Sequence, residues 1–552
     1  MVKVKNKGII LVGILLFFLG NSTESLAIVA GEDASRELNV GGELNRQIKE
    51  IENFKIKKEI SKGSQVQDEK KHKVSKKDED YSKVEFILNK VEYNKSDILT
   101  KSEIDNIIDT YENRKVNLSE MFQLVEKINK LYEKKGYIVC KAIIPPQTIK
   151  NGVFKIILIE GKTDKIILKN NKSTRDSYIL KRMGSLKKDE ISNFNELNKN
   201  LVWFNSVEDI SIKIQMTAGE KYGTTNYILD VKEPRKTDLT VFTNNTGSES
   251  TGEYKGGFIY NNHSVFGYRD RLNIIGNASD GSMAGVVSYS VPISTKGTRL
   301  GVQYSANKMK LNDGDYEELD TKGSSKNYSM TVSQPLFIRK DLRINSGVSW
   351  GKQKSHTTVL DNEWIDDEIE KVSGYVSILK YFNRTIFYMK NSYSYLDYEN
   401  IDSNKKYLTK YEGNILIERF LENKGILYFK MNGQGTDDEY IPSSEQFYIG
   451  GSYIGRGYPE SFMGGDKGIA YTLEYEVPIV NDLKAFVFFD GGALYGETSY
   501  EDKEIYSTGY GIRGKIDENV DFSLTMGIPL DDEYNGEEID SCRVHFVFSC
   551  GL

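Results

Sequence analysis

Hydrophobic and polar residues follow two different periods along this chain of 552 residues. Between residues 81 and 234, apolar positions recur every three or four residues in some segments and every second residue in others, which predicts helices mixed with strands. From residue 235 to residue 552 the helical period is absent. Apolar and polar residues alternate there in short segments separated by Gly, Asn, Asp and Lys. The pattern therefore predicts an α+β region followed by an all-β region.

The sequence pattern of residues 81–162 predicts one α+β unit with the order β-α-α-β-β. Thr100–Glu103 and Asn117–Glu120 have capping-box spacing, in which a side chain and a carboxylate satisfy free backbone N–H groups at a helix start. Apolar residues follow each cap on one helical face, and Gly136 is placed to end the second helix in a left-handed conformation. The predicted strands cover residues 83–93, 137–144 and 153–160.

Residues 163–234 repeat that order more faintly. A short helix is predicted over residues 174–183, and Asn193–Glu196 has the spacing of a further helix cap. The predicted strands cover residues 165–169, 207–216 and 226–232. Two units of one architecture in tandem indicate an internal repeat.

Residues 235–552 show the alternation typical of a membrane β-barrel, whose strands present one face to lipid and the other to a polar lumen. Near the C-terminus, for example, Val544 and Phe546 alternate with Arg543 and His545. At roughly 20 residues per strand and connection, this region supplies about 16 strands. Only a closed barrel or a helix satisfies its backbone hydrogen bonds in hydrocarbon. We predict a transmembrane antiparallel β-barrel, with a soluble β-sandwich or propeller as the alternative.

Residues 1–27 have the three parts of a secretory signal peptide. Early lysines precede an apolar run over Ile9–Leu19, and small residues follow at Ser25–Ala27. We expect cleavage near Ile28, so that the mature protein lies outside the cytoplasm. The alternative is an N-terminal membrane anchor, for which the apolar run is short.

Residues 28–80 are dominated by Lys, Glu, Ser and Asn. Apolar residues at helical spacing predict one helix over Glu43–Ile60. Residues 61–80 are charge-rich and contain almost nothing to bury, which predicts a flexible tether; a binding patch is the alternative.

Composition excludes several classes of protein. The 74 Lys and Arg nearly balance the 80 Asp and Glu, which gives no footprint of a dedicated nucleic-acid binder. The three cysteines are too few for a disulfide scaffold. Beyond the signal peptide, the sequence offers no apolar segment of ~18 residues for a transmembrane helix.

The sequence gives little support to enzyme chemistry, and we predict a non-enzymatic protein without cofactor or metal. The four histidines, His72, His263, His356 and His545, are scattered without metal-ligand spacing. Nucleophile-elbow, Walker-type and Cys-x-x-Cys motifs are absent from the sequence. The glycines near residue 450 lack the flanking strand and helix that a nucleotide-binding loop requires.

Three short segments are distinguished by glycines, prolines and paired aromatic or charged residues. The first contains Gly136, Tyr137, Pro145, Pro146, Gln147 and Gly161. The second contains Gly450, Gly451, Arg456, Gly457, Tyr458, Asp466 and Gly468. The third contains Phe488, Asp490 and Gly492. Together they resemble the hemolysin secretion/activation family, the outer-membrane transporters of two-partner secretion. The first segment resembles its first periplasmic polypeptide-transport-associated (POTRA) domain, the second its lumen loop, and the third a paired strand motif.

The resemblance implies that Arg456 pairs with Asp490 inside the barrel, because the loop arginine and the strand aspartate of this family do so. A guanidinium presents a planar fork that matches a carboxylate. Gly455 and Gly457 beside the arginine permit unusual backbone angles and close approach. The chain departs from the family pattern at Gly455, where a branched apolar residue is usual, and at Leu552, where the family ends in an aromatic residue.

The resemblance also implies a function and partners. Two POTRA domains, residues 81–162 and 163–234, are expected to capture an unfolded partner exoprotein of the hemolysin or adhesin type in the periplasm. The barrel, residues 235–552, is expected to conduct it across the outer membrane, drawn outward by its folding at the cell surface. Expected partners are this client, the lipid bilayer and the barrel-assembly machinery, without nucleic acid. The alternatives are an insertase for other barrels and a passive porin or adhesin.

Overall fold

The computed structural model describes residues 39–49, 84–313, 319–480, 482–495, 503–531, 533–534 and 537–552. They form two α+β units and a closed barrel of 16 antiparallel strands, as predicted. The predicted signal peptide and the predicted tether at residues 61–80 lie outside the described residues, as does most of the helix predicted over Glu43–Ile60. None of the described helices is long and apolar enough to cross a membrane.

The first α+β unit, called unit 1, contains five strands and two helices. In chain order these are β1 (Glu85–Leu88), β2 (Lys90–Tyr93), α1 (Lys101–Ile108), β3 (Arg114–Asn117), α2 (Leu118–Lys134), β4 (Lys141–Ile143) and β5 (Val153–Ile159). A three-stranded sheet has the order β2-β5-β4, and β1 pairs with β3 in a separate two-stranded sheet. Leu124, Ile128 and Tyr132 of α2 are fully buried in its core.

Both predicted capping boxes of unit 1 are confirmed. At the start of α1, the backbone N–H of Glu103 donates to Thr100 and that of Thr100 donates to Glu103. Asn117 and Glu120 make the same reciprocal pair at the start of α2. Gly136, at φ +90°, ends α2 in the left-handed region as predicted.

The predicted strands of unit 1 need three corrections. The strand predicted over 83–93 is two strands that break at Asn89, whose N–H donates to the carbonyl of Gly152 at 2.8 Å. The strand predicted over 137–144 begins only at Lys141, because the preceding residues form turns that close helix α2. Strand β3 lies between the helices, where the predicted order had none.

The second α+β unit, called unit 2, repeats the architecture of unit 1 and confirms the internal repeat. Its elements are β6 (Lys162–Lys169), α3 (Asp176–Arg182), α4 (Phe194–Val207), β7 (Ser211–Ala218) and β8 (Thr224–Lys232). The sheet order β6-β8-β7 corresponds to β2-β5-β4, with one parallel and one antiparallel pairing in each sheet. The strand predicted from residue 207 starts at Ser211, because α4 extends to Val207.

Sixteen strands close the barrel, and each pairs antiparallel with its neighbours. They are β9 (Thr237–Asn244), β10 (Lys255–Asn262), β11 (Arg271–Ala278), β12 (Ser282–Pro292), β13 (Arg299–Lys310), β14 (Lys322–Ile338), β15 (Leu342–Val359), β16 (Asn362–Phe382), β17 (Thr385–Glu399), β18 (Lys405–Phe420), β19 (Ile426–Gly435), β22 (Lys467–Val480), β23 (Leu483–Tyr495), β24 (Lys503–Lys515), β25 (Val520–Pro529) and β28 (Arg543–Gly551). Two short hairpins lie between them, formed by β20 (Phe447–Ile449) with β21 (Met463–Gly465) and by β26 (Glu533–Tyr534) with β27 (Glu537–Glu538). Strand β28 pairs with β9 and closes the ring.

The strands alternate as the sequence predicts. On β17, Tyr393 and Tyr395 are exposed on the outer surface, whereas Ser392 and Ser394 line the interior. On β14, Tyr328 faces outward and Ser329 faces inward. The barrel therefore presents an apolar exterior and a polar lumen, which is the arrangement of a membrane-spanning barrel.

The lumen is occupied by two segments of the chain. The first is a helix over residues 40–49, called the lumen helix, which contacts strands on several sides of the barrel wall. The second is the connection between β19 and β22, residues 436–466, called the lumen loop, which folds back into the barrel. Unit 2 contacts the barrel turns at residues 263–270 and 293–298, and these turns define the proximal end of the barrel.

Candidate functional site in the barrel lumen

A tight glycine-rich turn carries Arg456 to the barrel wall. Gly450, Gly451 and Gly455 all have φ between 85° and 100°, a conformation that strongly favours glycine. The N–H of Gly450 donates to the carbonyl of Ile454 at 3.0 Å, and that of Gly451 donates to Gly455 at 3.2 Å. The turn thus presents its next residue, Arg456, directly to strand β23.

The structure places Arg456 against Asp490 of β23. The guanidinium Nε and Nη2 donate to the two carboxylate oxygens at 2.9 and 2.8 Å. The backbone N–H groups of Gly455 and Arg456 also donate to Asp490, at 3.2 and 3.1 Å. Asp490 is fully buried, and Arg456 is 7% exposed. The carboxylate therefore holds both the arginine side chain and the loop backbone.

A second carboxylate contacts the arginine and was not found from the sequence. Arg456 Nη1 donates to Glu474 of β22 at 2.8 Å. The guanidinium carbon also lies 3.4 Å from the centroid of the Phe488 ring, which gives the strand-motif aromatic a cation–π contact. The alternation of strand β22 is the signal that points to Glu474, since it places Glu474 and Glu476 on the lumen face of a strand with apolar outer neighbours.

The charged contacts continue along the lumen wall. Arg513 of β24 pairs with Glu474 and lies 3.4 Å from Glu476. Lys484 donates to Glu476 at 2.7 Å. Positive and negative groups thus alternate from Asp490 to Lys484, so that none of these side chains is a buried charge without a partner.

Close packing explains the glycines around Arg456. A Cβ at Gly457 would lie 2.4 Å from the backbone nitrogen of Pro529 on β25. A Cβ at Gly455 would lie 3.0 Å from Ile505 Cδ1 and 3.1 Å from the Cα of Gly450. With φ at +85°, Gly455 has a backbone conformation in which a branched residue would be strained.

The remaining motif residues fix the loop at other points. Tyr458 is fully buried, and its hydroxyl contacts the carbonyl of Tyr506 and the carboxylate of Asp531. Asp466 does not contact Arg456; it accepts hydrogen bonds from Ile441 N–H and Gln446 Nε2 at the base of the loop, both at 3.2 Å. Gly468 and Gly492 leave room for the hairpin β20–β21, where Cβ atoms would approach Phe447 and Ile449 to 2.5 and 3.1 Å.

The lumen helix is attached to the lumen loop. Arg46 Nη1 donates to Glu460 at 2.9 Å, and Asn39 Nδ2 donates to Tyr448 and to the carbonyl of Ser443. Asn45 Nδ2 donates to the carbonyl of Ser444 at 2.8 Å. Helix and loop therefore form one plug with polar, hydrogen-bonded contacts.

Ion pairs also attach this plug to the barrel wall. Glu43 of the lumen helix accepts from Lys255 of β10 at 3.2 Å, and Lys49 pairs with Glu412 of β18 at 2.9 Å. In the lumen loop, Glu445 is 3% exposed and pairs with two wall lysines, Lys371 and Lys410. These pairs could not be predicted from the sequence, because their partners are far apart in the chain.

A cavity of about 680 Å³ lies beside the lumen helix. Serine hydroxyls dominate much of its wall, among them Ser329, Ser333, Ser349, Ser373, Ser392 and Ser394. A volume of this size is typical of a small-molecule pocket rather than of an open channel for a polypeptide. The plug therefore takes up lumen space that a translocating chain would need.

The motif residues of unit 1 have structural roles of their own. Gly136 lies at the junction of the two units, where its carbonyl accepts from the Phe194 N–H at 2.7 Å. Tyr137 N–H donates to the Tyr132 carbonyl and completes the helix stop. A Cβ at Gly161 would lie 3.2 Å from the carbonyl of Val139.

Gln147 replaces backbone pairing beyond the end of β4. Pro145 and Pro146 have no N–H, so this segment has no main-chain donor for the sheet there. The Gln147 side chain instead donates to the Lys155 carbonyl at 2.9 Å and accepts the Lys155 N–H at 2.7 Å. The proline–glutamine motif thus caps one end of the sheet of unit 1.

Side-chain amides cover equivalent edge positions in both units. In unit 1, Asn129 of α2 donates to the Ala142 carbonyl at 3.3 Å and accepts its N–H at 2.7 Å. In unit 2, Asn205 of α4 does the same to Ile212 of β7, at 3.0 and 2.8 Å. Beyond Ile212, strand β7 pairs with no further strand of the described chain on its outer edge.

No group of three or more His, Cys, Asp or Glu side chains suited to a metal ion occurs among the described residues. Burial raises the pKa of the Cys140 thiol in unit 1 to about 11, which keeps it protonated and unreactive at neutral pH.

Two family models match the chain. The model for haemolysin secretion/activation protein ShlB/FhaC/HecB matches residues 223–514, which is more than half of the 552 residues. The model for a POTRA domain of the ShlB type matches residues 86–161.

Curated relatives and solved structures are similar over most of the chain. The heme/hemopexin transporter protein HuxB of Haemophilus influenzae strain Rd is 24% identical over 481 residues, covering 81% of this chain and 83% of HuxB. The outer membrane transporter CdiB of Dickeya dadantii strain 3937 is 22% identical over 446 residues, covering 74% and 76%. The structure of CdiB from Escherichia coli matches with a TM-score of 0.66 at 15% identity, over 93% of this chain and 99% of CdiB. That of BamA from Haemophilus ducreyi lacking POTRA domains 1–3 matches with a TM-score of 0.54 at 13% identity, over 85% of this chain and 100% of the BamA chain.

Proposed function

Because the chain belongs to the haemolysin secretion/activation protein ShlB/FhaC/HecB family, we propose that this outer-membrane transporter captures an unfolded exoprotein in the periplasm and secretes it through its barrel. Its POTRA units lie in the periplasm, so the proximal end of the barrel faces the periplasm and the opposite end faces the cell exterior. In this proposal the transporter and its client exoprotein are the two partners of the secretion system.

The chain divides into five parts in this proposal. Residues 1–27 direct export and residues 28–80 carry the lumen helix and its tether. Residues 81–162 and 163–234 are the two POTRA domains, and residues 235–552 form the barrel. The apolar outer surface of the barrel contacts lipid, and the barrel-assembly machinery inserts it.

Client capture occurs by strand addition to the exposed edge of β7. Asn205 already satisfies the N–H and carbonyl of Ile212, whereas the backbone groups at Ile214 and Met216 on the same edge are open to an incoming strand. Main-chain hydrogen bonds bind an extended client with little dependence on its sequence. Most side chains of β7 beyond Ile212 are exposed, which leaves this edge accessible.

The observation that supports transport most strongly is a plug held by breakable polar contacts. Two apolar clusters also pack the plug against the wall, one through Ile449 and Leu494 and the other through Val40. The remaining contacts of the lumen loop and lumen helix are hydrogen bonds and ion pairs. Such contacts weaken when water enters, since the attraction of a pair ~4 Å apart falls from about 4 to about 1 kcal/mol as the effective dielectric constant rises from ~20 to ~80. The Arg456–Asp490 contact is the latch in this proposal.

The test compares proteins released into the medium by cells that carry the native chain, no chain, or the variant Arg456→Ala. We expect one large exoprotein to disappear without the chain and to fall strongly with Arg456→Ala, while the variant barrel remains folded in the outer membrane. Arg384→Ala is the matched control, because Arg384 lies in an exposed turn and pairs with the exposed Glu422. An unchanged secretome without the chain contradicts the transporter proposal, and normal secretion by Arg456→Ala contradicts the latch.

The same comparison separates transport from barrel insertion. An insertase is considered because the fold also resembles that of BamA. Loss of an insertase lowers the amounts of several outer-membrane barrels, whereas loss of a secretion transporter removes its client from the medium. We expect the second result.

A further inference from the structure

Unit 2 is seated on the barrel by a set of specific contacts. Arg175 at the start of α3 donates through its backbone N–H to the carbonyl of Gly267 and through Nε to that of Phe266, at 3.0 and 2.9 Å. Ser264 Oγ donates to the Ser173 carbonyl at 2.9 Å, and Trp203 Nε1 donates to the carbonyl of Lys296. Most of these contacts use neutral groups, which hold their hydrogen bonds at any ordinary pH.

One contact in this interface depends on a titratable ring. His263 directly follows β10, in the turn that connects β10 to β11 at the proximal end of the barrel. Its Nε2 lies 2.7 Å from a carboxylate oxygen of Asp238 on β9, and its Nδ1 lies 3.0 Å from a carboxylate oxygen of Asp209 in unit 2. The imidazole thus bridges the two parts of the molecule.

The geometry requires a charged imidazole. An ionised carboxylate has only acceptor oxygens, so each ring nitrogen that faces one at this distance needs a proton. A neutral imidazole has a proton on one nitrogen only and would direct the lone pair of the other at a negative oxygen. Only the imidazolium form avoids placing a ring lone pair against one of the two carboxylates.

Further charged groups of both signs surround His263 and Asp209. Glu208 neighbours Asp209 and adds a third carboxylate, while Arg269 and Arg271 approach Asp209 from the barrel side. Arg269 is fully buried, with Nε 2.9 Å from Asp209. Burial raises the pKa of Asp209, but the contact with His263 and the charges of Arg271 and Arg269 outweigh this and hold its pKa well below the ordinary value, so Asp209 stays ionised.

We propose that His263, as an imidazolium held between Asp209 and Asp238, is a positioning residue that clasps unit 2 onto the periplasmic end of the barrel. The clasp sits at the mouth of the lumen, because Arg271 and Arg299, which contact Glu208 and Asp209, also line the lumen cavity. Deprotonation of the ring loosens unit 2, and the orientation of the client-capturing edge relative to the mouth becomes variable.

The direction of the pH dependence follows from the contacts. The carboxylates of Asp209 and Asp238 raise the pKa of His263 above its ordinary value of 6.5 when unit 2 is docked. The stabilisation is therefore complete below that ordinary value and is lost as the pH rises through the raised one. The backbone N–H of His263 donates to the carbonyl of Lys236 at 2.8 Å, a contact between neutral groups.

The test measures the distance between two spin labels in the full-length chain in detergent, without client. The labels replace Lys213 on β7 and Lys340 in a barrel turn, both exposed, after the three native cysteines are changed to alanine. We expect the docked distance to dominate at about pH 6 and the ratio of docked to undocked molecules to fall several-fold by about pH 9.

Three variants decide the origin of this change. His263→Gln should lower the docked fraction at about pH 6 and abolish the pH dependence, whereas His263→Arg, which stays charged, should keep unit 2 docked at both pH values. His356→Gln is the matched control, because His356 is an exposed ring 3.7 Å from Asp366 on the barrel. A flat wild-type profile, or a His263→Gln profile equal to the wild type, overturns the proposal. The measurement needs no client, so it is independent of the outcome of the secretion test.

Discussion

Two buried carboxylates hold the lumen loop at Arg456, and they differ in the number of hydrogen bonds that they accept from the loop. Asp490 accepts four hydrogen bonds from the loop, two of them from backbone N–H groups, whereas Glu474 accepts one from the guanidinium. Glu474 also pairs with a second cation, Arg513, whereas Asp490 pairs with Arg456. Asp490 therefore determines where the loop lies, and Glu474 balances the charge.

This difference predicts unequal effects of two neutral substitutions. Asp490→Asn weakens four contacts at once, and loss of a charged hydrogen bond costs ~1.5–3 kcal/mol. We expect hydrogen exchange of residues 450–460 in the purified barrel to speed up by about 100-fold in Asp490→Asn and by about tenfold in Glu474→Gln. Equal acceleration in the two variants would show that the backbone contacts with Asp490 contribute nothing.

At the scale of single residues, the sequence predicts the residues of the family motifs. It does not predict the partners that contact the plug in the folded barrel. Arg456 and Asp490 were brought together by a family resemblance, and the structure finds them in contact. The sequence does not predict the contact between Glu460 and Arg46, because 414 positions separate them and neither lies in a distinctive motif. Partners of this kind are fixed by the closed barrel, which brings distant segments into one lumen.

The two helices of unit 1 begin at capping boxes that can be recognised in the sequence. Asn117 and Glu120 satisfy two free N–H groups at the start of α2, and this helix supplies five buried residues of the core of unit 1. Strand β3, by contrast, has four residues that are mainly exposed, too few for an alternating pattern. Short edge elements of this kind are set by pairing with a neighbour, here β1, rather than by their own sequence.

Removing the cap of α2 should destabilise its first turns. Asn117→Ala leaves the Glu120 N–H without its acceptor, and loss of such a cap costs typically ~1 kcal/mol. We expect hydrogen exchange at residues 118–124 to accelerate by about fivefold in the full-length chain. Glu126→Gln, on an exposed part of the same helix, is the control and should leave these residues unchanged. No acceleration in Asn117→Ala would mean that packing alone holds the helix start.

The cap of α1 predicts a dependence on acid. Hydrogen bonds from Lys135 and from the Thr100 N–H lower the pKa of Glu103 from 4.5 to about 2. Because the folded value is the lower one, the stabilisation is present above pH 4.5 and is lost as the pH falls towards 2. Hydrogen exchange of residues 101–108, corrected for intrinsic rates, should accelerate over this interval in the native chain. In Glu103→Gln this acid step should be absent, and its persistence would assign it to another carboxylate.

For the whole molecule, the alternation of the last 318 residues predicts the barrel because lipid and lumen impose opposite demands on successive side chains. The content of the lumen is not predictable in the same way. The described part of the lumen helix resembles a surface helix in sequence, and only the finished barrel buries its polar face against wall and loop. The periodicity therefore predicts the barrel wall but does not predict the segments that occupy its lumen.

Closure of the lumen predicts that secretion requires movement of the plug. Asn45 of the lumen helix donates to the Ser444 carbonyl of the lumen loop, so cysteines at these two positions lie close enough for a short bis-methanethiosulfonate crosslinker. We expect the crosslinked Asn45→Cys, Ser444→Cys chain to stop secreting its client, because helix and loop can no longer separate. A reductant that cleaves the crosslink should restore secretion.

Two controls separate blockage from damage. Each single cysteine variant, treated with the same reagent, should secrete normally, because it carries a modification without a bridge. Ion conductance of the purified chain in planar bilayers should stay low in the crosslinked protein and rise after reduction. Secretion that continues through the crosslinked chain would mean that helix and loop leave the lumen together as one body, and the ion pairs of Glu43 with Lys255 and of Glu445 with Lys371 would then be the contacts that break.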